Sequence, residues 1–139
     1  MPKLLTLAAA GVMLAACRQS DRAELLVPDP VAGPYHLETI QQKRLPAILL
    51  EANGYRLEVI AGSYELGADG SYTTSLTVRE SIETVTTPNV ATYDERGSGV
   101  YSITAQIVRF KDTQGREFTA QLAGGVLSFG GDLPRVYRR

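Results

Sequence analysis

Apolar and polar side chains alternate with a period of two in several short segments of the chain. The clearest is the range 71–78, where Tyr72, Leu76 and Val78 point to one side and hydroxyl side chains point to the other. Such alternation is typical of a β-strand with one buried face. Segments rich in β-branched and aromatic residues predict nine strands: 35–40, 55–66, 71–78, 89–93, 99–104, 106–110, 117–122, 126–129 and 135–138.

Turn dipeptides separate these segments. Asp69-Gly70 predicts a tight hairpin between the strands on either side of it. Within 55–66 the apolar positions change from odd to even, which predicts a β-bulge at Ala61-Gly62. The range 41–51 is expected to hold a helical turn interrupted by a proline, and the polar range 79–99 is expected to be mainly a solvated loop.

Many short strands between turns indicate an all-β protein. Closing such a sheet on itself removes the exposed strand edges that would otherwise pair with other chains. We therefore predict a small antiparallel up-and-down β-barrel of about eight strands, formed by residues 33–139.

The first sixteen residues have a different pattern. Lys3 is followed by the range 4–16, in which Thr6 is the only polar side chain. As a helix this run would be about 20 Å long, too short for the roughly 30 Å hydrocarbon core of a bilayer. We interpret residues 1–16 as a signal peptide. The polar, proline-containing range 17–32 is expected to be a flexible tether.

Leu14-Ala15-Ala16-Cys17 stands at the end of the apolar run. It resembles the lipobox of bacterial lipoproteins, in which the Cys is acylated and becomes the first residue of the mature chain. The resemblance implies that lipid on Cys17 anchors the protein to a membrane, since each buried CH₂ stabilises binding by about 0.8 kcal/mol. Arg18 follows, where an Asp would resemble an inner-membrane retention signal, and this favours the outer membrane, with the domain facing the periplasm.

Composition narrows the classes of function. The 139 residues are 44% hydrophobic and 21% charged, which is ordinary for one globular domain. A single Cys cannot form an intrachain disulfide, and 14 basic against 15 acidic side chains provide no field that would attract nucleic acid. We therefore expect neither a disulfide framework nor a nucleic-acid partner.

The order of several short motifs resembles a known class of domain. Gly33-Pro34-Tyr35 comes first, the range 62–66 precedes Asp69-Gly70, and Val136-Tyr137-Arg138-Arg139 comes last. This series resembles the small lipocalin-like barrel domains of bacterial lipoproteins and extends over residues 33–139. In the wider lipocalin superfamily a Gly-x-Trp on the first strand packs beneath a basic residue of the last strand. The resemblance implies that Tyr35, in place of Trp, forms a barrel-floor pair with Arg138 or its neighbour Arg139 through a cation–π contact.

An eight-stranded barrel has an interior that side chains fill or that holds one small ligand. Alternation along the predicted strands places six residues on inward faces: Tyr72, Leu76, Tyr101, Phe110, Phe118 and Phe129. We interpret them first as core. Their alternative role, as walls of a cavity for a small hydrophobic ligand, stays open.

Few residues suit catalysis or metal binding. His36 is the only imidazole, and alternation with Tyr35 and Leu37 predicts that it faces solvent. An acylated Cys17 is no nucleophile, and the acidic pairs of the range 79–99 suit a solvated surface better than a metal site. We therefore expect no enzyme, no metal site and no cofactor.

Two functional hypotheses fit these residues. The first is an envelope-tethered, non-enzymatic binding or scaffold domain, with a small hydrophobic ligand as one form of it. The second is a protein-interaction module in the periplasm, an inhibitor or an assembly partner, that uses an exposed segment such as 80–99.

Overall fold

The structure is a computed structural model that describes residues 31–84 and 86–139. The predicted signal peptide, Cys17 and the tether as far as residue 30 lie outside the described residues. All regular structure in the described ranges is β. The strands are β1 (Gly33–Ile40), β2 (Lys43–Arg44), β3 (Ala47–Ala52), β4 (Tyr55–Leu66), β5 (Ser71–Ile82), β6 (Asn89–Thr104), β7 (Ile107–Asp112), β8 (Glu117–Ala123), β9 (Val126–Phe129) and β10 (Arg135–Arg138).

Eight of these strands close into an antiparallel up-and-down barrel, which confirms the predicted fold class. From β4 to β10 each strand pairs with the next along the chain, and β10 pairs with β1. The barrel closes where β1 also pairs with β4, with Tyr35 opposite Tyr64. The two remaining strands lie beside this closure, β2 on β1 and β3 on the first half of β4.

The core occupies the inside of the barrel. Where a strand forms the closed barrel wall, its inward-pointing side chains are mostly buried and the side chains between them are mostly exposed, as on β1, where Tyr35 and Leu37 are buried on either side of the exposed His36. Aromatic rings fill the space between opposite walls, and Phe110 is fully buried among them. Burying large rings in this way removes apolar surface from water, which is the main favourable contribution to folding.

Two local expectations between residues 41 and 62 need correction. The range 41–51 holds β2 and β3 instead of a helical turn, and its alternation is hidden because the register of β3 shifts between Ile48 and Leu50. The bulge in β4 lies between Val59 and Ala61, before the predicted position. The tight hairpin predicted at Asp69-Gly70 is confirmed, because Leu66 of β4 pairs with Tyr72 of β5 and the Gly67 N–H donates to the carbonyl of Ser71 across the turn.

The range 79–99 is not mainly a loop. β5 continues to Ile82 and β6 begins at Asn89, so the two predicted strands 89–93 and 99–104 are parts of one 16-residue strand. β5 and β6 form twelve consecutive residue pairs with no register shift, from Ser71 opposite Val100 to Ile82 opposite Asn89. Alternation failed as a signal because every residue from 89 to 98 is exposed, whichever face it is on.

Candidate functional site

β6 is longer than its neighbour β7, and this difference creates an open strand edge. β7 pairs with β6 from Gly99 onwards, with Gly99 opposite Asp112. The one further bond on that side runs from the Thr113 N–H to the Ser98 carbonyl, at 3.2 Å. Within the described ranges, residues 89–97 therefore have a strand partner on one side only, which is β5. We call residues 89–97 the open edge.

The open edge belongs to a four-stranded sheet that extends past the closed barrel. β3, the first half of β4, the second half of β5 and the open edge lie side by side in it. Large apolar side chains remain exposed on this extension: Val90 is 56% exposed, Tyr93 40%, Ile82 45% and Leu50 50%. Val90 and Tyr93 lie on the open edge itself, Ile82 lies on the neighbouring β5, and Leu50 lies on β3 at the far side of the extension. Exposed apolar groups on an unpaired edge are typical of a surface that contacts another chain.

The side chains of the inner face of the extension meet at one carboxylate. The Tyr93 hydroxyl donates a hydrogen bond of 2.8 Å to Glu80 Oε1. This bond is the main cause that raises the pKa of Tyr93 to about 12. Burial and a hydrogen bond with the same Glu80 also raise the pKa of Tyr55. Tyr93 is thus held as a neutral phenol at physiological pH, with its ring beside the open edge.

The outer face of the extension carries charges that are already paired. The Thr77 hydroxyl donates to Asp94 Oδ1 at 2.7 Å, and Arg96 Nη2 lies 3.4 Å from Asp94 Oδ2. These two contacts, the Thr77 bond first, hold the pKa of the Asp94 carboxyl below its usual value. On β4, the buried Glu58 accepts hydrogen bonds from Arg79. Asp94, Arg96, Glu58 and Arg79 are therefore paired within the protein, whereas the backbone of the open edge has no strand partner among the described residues on the side away from β5.

The structure brings the six predicted interior residues together. Tyr72, Tyr101, Phe110 and Phe129 are buried, while Phe118 and Leu76 are partly buried and pack against the same core. Seven rings in this core, which include Tyr64 and Tyr137, have neighbouring centroids 5.0 to 6.3 Å apart. Aromatic rings at these separations are in contact. The inside of the barrel is accordingly packed by aromatic side chains.

Burial also sets the chemistry of the core hydroxyls. Desolvation raises the pKa of Tyr101 and of Tyr137 to about 12. The Tyr101 hydroxyl donates to the Gly67 carbonyl at 2.7 Å, so it ties β6 to the turn before β5. A buried phenol with such a partner contributes to packing and is protected from ionisation.

The residues of the predicted barrel-floor pair lie on opposite faces of the barrel wall. Tyr35 points inward and its hydroxyl donates to the carbonyl of Val31, at 2.8 Å. Arg138 is exposed and its Nε lies 3.1 Å from Glu38 Oε2 on the outer surface. The register explains this, because Arg138 is opposite the outward-facing His36 and not opposite Tyr35.

A cation–π contact joins two other residues in the described part of the barrel. The guanidinium carbon of Arg135 lies 5.1 Å from the centroid of the Phe129 ring. Arg139, the other residue considered for the floor, lies near the first strand, since a Cβ at Gly33 would approach its Nη2 to 3.2 Å. The charge of Arg139 lowers the pKa of Tyr35 while burial, the larger effect, raises it.

Sequence reasoning missed the open edge, although two signals point to it. Val90, Thr92 and Tyr93 are strong β-formers, and neither Gly nor Pro occurs between Asn89 and Arg96. His36 is exposed, as expected. In the part of the chain that the structure describes, no group of three or more His, Cys, Asp or Glu residues is arranged to hold a metal ion, and no helix is long and apolar enough to cross a membrane.

No family model, no curated protein and no solved structure matches this chain.

Proposed function

We propose that this protein is a non-enzymatic bacterial envelope lipoprotein that is anchored through acylated Cys17 and acts as a protein-interaction module. The observation that carries the interaction role is the open edge, nine residues of strand with exposed apolar side chains beside it. Strands of this kind bind partners by β-augmentation, in which a second strand adds main-chain hydrogen bonds to the sheet.

Packing inside the barrel favours a protein partner over a small hydrophobic ligand. A ligand would have to displace rings such as Tyr64 and Phe110, whose centroids are 5.4 Å apart. A surface cavity of about 540 Å³ lies beside Arg96. Its lining is mainly hydroxyl and charged side chains, among them Ser63, Ser75 and Asp94, which do not suit an apolar molecule.

The residues that could carry catalysis are few and separated. His36 lies exposed on β1, whereas the carboxylates of the extension are on β4, β5 and β6 and bind arginine or hydroxyl groups of the protein itself. A general base must lie within hydrogen-bond reach of a nucleophile or a substrate proton. The arrangement supports a binding role without chemistry.

Site-specific photo-crosslinking in intact cells tests the interaction role. A photo-reactive side chain at Thr92 lies on the open edge, and the same side chain at Ser102 lies on the same strand and face where β7 already pairs. We expect discrete adducts from position 92 and none from position 102. Equal adducts from both positions, or none from position 92, would contradict an interaction through this edge.

Metabolic labelling with a fatty acid tests the anchor separately. The chain should incorporate the label, Cys17→Ser should lose it, and Arg18→Ser should keep it because the acylated sulfur remains. Label retained in Cys17→Ser, or absent from the unchanged chain, would refute the proposed anchor while leaving the interaction role to its own test.

A further inference from the structure

The backbone groups that the open edge presents can be identified from the hydrogen bonds at its end. The Ser98 carbonyl accepts a bond on the β7 side, whereas the Tyr101 N–H donates to Gly70 on the β5 side. In a strand the N–H and C=O of successive residues point to alternate sides. The even-numbered residues therefore face away from β5. These residues are Val90, Thr92, Asp94 and Arg96.

The open edge has only one of the features that usually prevent a strand from pairing. Natural edge strands are protected by Pro, by charged side chains and above all Lys, by bulges or by being short. Residues 89–97 contain neither Pro nor Lys, their three charged residues are Asp94, Glu95 and Arg96, and the pairing of β6 with β5 is free of register shifts over its whole length. The edge is regular and accessible, so that an added strand would meet an unbroken row of donors and acceptors.

We propose that the occupant of the open edge is the open edge of a second copy of this chain. The two copies pair antiparallel about a two-fold axis at Tyr93, with Val90 opposite Arg96 and Thr92 opposite Asp94. This rests on the proposed interaction role and names its partner. In this register all four outward-facing residues of each copy exchange both of their backbone hydrogen bonds.

Pairing of the two open edges in either neighbouring register is less stable. Moving the axis by one residue, to Asp94, places two like charges directly opposite each other, which destabilises a strand pair. Moving it to Thr92 places Arg96 opposite Pro88, which has no N–H to donate. The register centred on Tyr93 is the one in which the edge is complementary to itself over its full length.

Side chains also fit this register. On the inner face Tyr93 lies opposite its own copy, Ala91 lies opposite Glu95, and Asn89 lies opposite Gly97, so no two charges of the same sign face each other directly. A directly opposed aromatic pair stabilises a two-stranded contact. The exposed surface of Val90, at 56%, and of Tyr93, at 40%, would be partly removed from water.

Cysteine crosslinking in the membrane-bound full-length chain tests the register. Directly opposed residues of a two-strand pair have Cα atoms about 4.5 to 5.5 Å apart, which suits a disulfide. Tyr93→Cys should form a dimer of twice the mass of the mature chain under mild oxidation. Glu95→Cys should not form this dimer, because position 95 of one copy lies opposite position 91 of the other, four residues away from the second Cys. The unchanged chain is the control for disulfides formed through Cys17. The double variant Ala91→Cys, Glu95→Cys should restore the dimer.

A proline variant separates strand pairing from chance collision. The Thr92 N–H points away from β5, so Thr92→Pro removes an outward donor without breaking the β5–β6 ladder. Placed in the Tyr93→Cys chain it should lower the dimer yield by about tenfold, equivalent to about 1.4 kcal/mol. Equal crosslinking from positions 93 and 95, or a yield unchanged by Thr92→Pro, overturns the register.

The outcomes distinguish this inference from the proposed function. If Tyr93→Cys gives no dimer while the photo-crosslinker at Thr92 captures a different protein, the second copy is not the occupant and the interaction role remains. Protection of the edge by the chain's own N-terminal residues would give neither a dimer nor an intermolecular adduct. In that case both proposals fail.

Discussion

Glu58 and Arg79 lie opposite each other on β4 and β5, and the Arg79 guanidinium donates through both Nε and Nη2 to one carboxylate oxygen of Glu58. The Glu58 side chain is 7% exposed, whereas that of Arg79 is 46% exposed. Arg56 Nη2 lies 3.7 Å from the other carboxylate oxygen. A nearly buried carboxylate is thus compensated by two cations at the base of the extension.

Removing one partner of this pair should destabilise the protein. Arg79→Met leaves the Glu58 carboxylate with the more distant Arg56, and we expect a loss of about 2 kcal/mol in the free energy of unfolding. The coupling energy between the two side chains is obtained by urea denaturation of three variants. They are Arg79→Met, Glu58→Gln and the double variant that carries both changes. The matched control is Arg138→Met, which breaks the exposed pair with Glu38 and should cost under about 1 kcal/mol. Equal losses from Arg79→Met and Arg138→Met would contradict this account.

Gly99 marks the point where β5, β6 and β7 meet, and its lack of a side chain is required there. A Cβ at this position would lie 2.1 Å from the carbonyl oxygen of Lys111 and 2.9 Å from Tyr72 Cε1. Gly99→Ala should therefore cost about 1 to 3 kcal/mol through overpacking. At Gly97, on the open edge, a Cβ would meet only the Thr74 methyl group, at 3.0 Å, and Gly97→Ala should be nearly neutral. The urea midpoints of Gly99→Ala and Gly97→Ala measure this difference in stability. Equal midpoints would show that the Lys111 carbonyl does not approach residue 99 closely.

The barrel was predictable from the sequence because alternation reports burial on one face. β8 illustrates this: Phe118, Ala120 and Leu122 are inside or half inside, and Glu117, Thr119 and Gln121 are exposed between them. Wherever the barrel wall has core on one side and water on the other, the amino-acid pattern and the structure agree.

The candidate site was not predictable in the same way. The residues of the open edge have water on both faces, so selection for burial left no alternation to detect. The predicted pairing of Tyr35 with Arg138 is wrong for a different reason. It depends on the parity of the last strand, which places Tyr137 inside and Arg138 outside, and on the pairing of β10 with β1, neither of which a resemblance of short motifs specifies.

Asp69 makes the turn between β4 and β5 sensitive to acid. Its Oδ1 accepts hydrogen bonds from the Ser71 hydroxyl, at 2.6 Å, and from the Ser71 N–H, at 2.9 Å. The hydroxyl bond first and the backbone bond second lower the pKa of the Asp69 carboxyl below 3.8. Because the folded pKa is depressed, the stabilisation is present above the unfolded value and is lost as the pH falls through the folded value.

The urea midpoint of the unchanged chain should therefore exceed that of Asp69→Asn at pH 6, and the difference should shrink steadily as the pH falls below about 4 and through the folded pKa of Asp69. Ser71→Ala is the matched control, because it removes the hydroxyl donor and keeps the backbone donor. Its midpoint at pH 6 should lie between that of the unchanged chain and that of Asp69→Asn. If the difference in urea midpoint between the unchanged chain and Asp69→Asn stays constant down to pH 2, the stabilisation by Asp69 does not depend on the charge of its carboxylate.

Substitution of Phe110 tests whether the interior of the barrel is filled by side chains. Its ring is fully buried and lies 5.0 Å from Tyr72, 5.1 Å from Phe118 and 5.4 Å from Tyr64, measured between centroids. Phe110→Ala should lower the free energy of unfolding by about 3 to 5 kcal/mol, because it removes the ring contacts and leaves a cavity. An apolar cavity of this kind stays dry and accepts a small aromatic molecule. Benzene should accordingly raise the Tm of Phe110→Ala and leave that of the unchanged chain in place. A rise for the unchanged chain with benzene, or with a fluorescent fatty acid, would instead indicate a hollow barrel and restore the small hydrophobic ligand as its function.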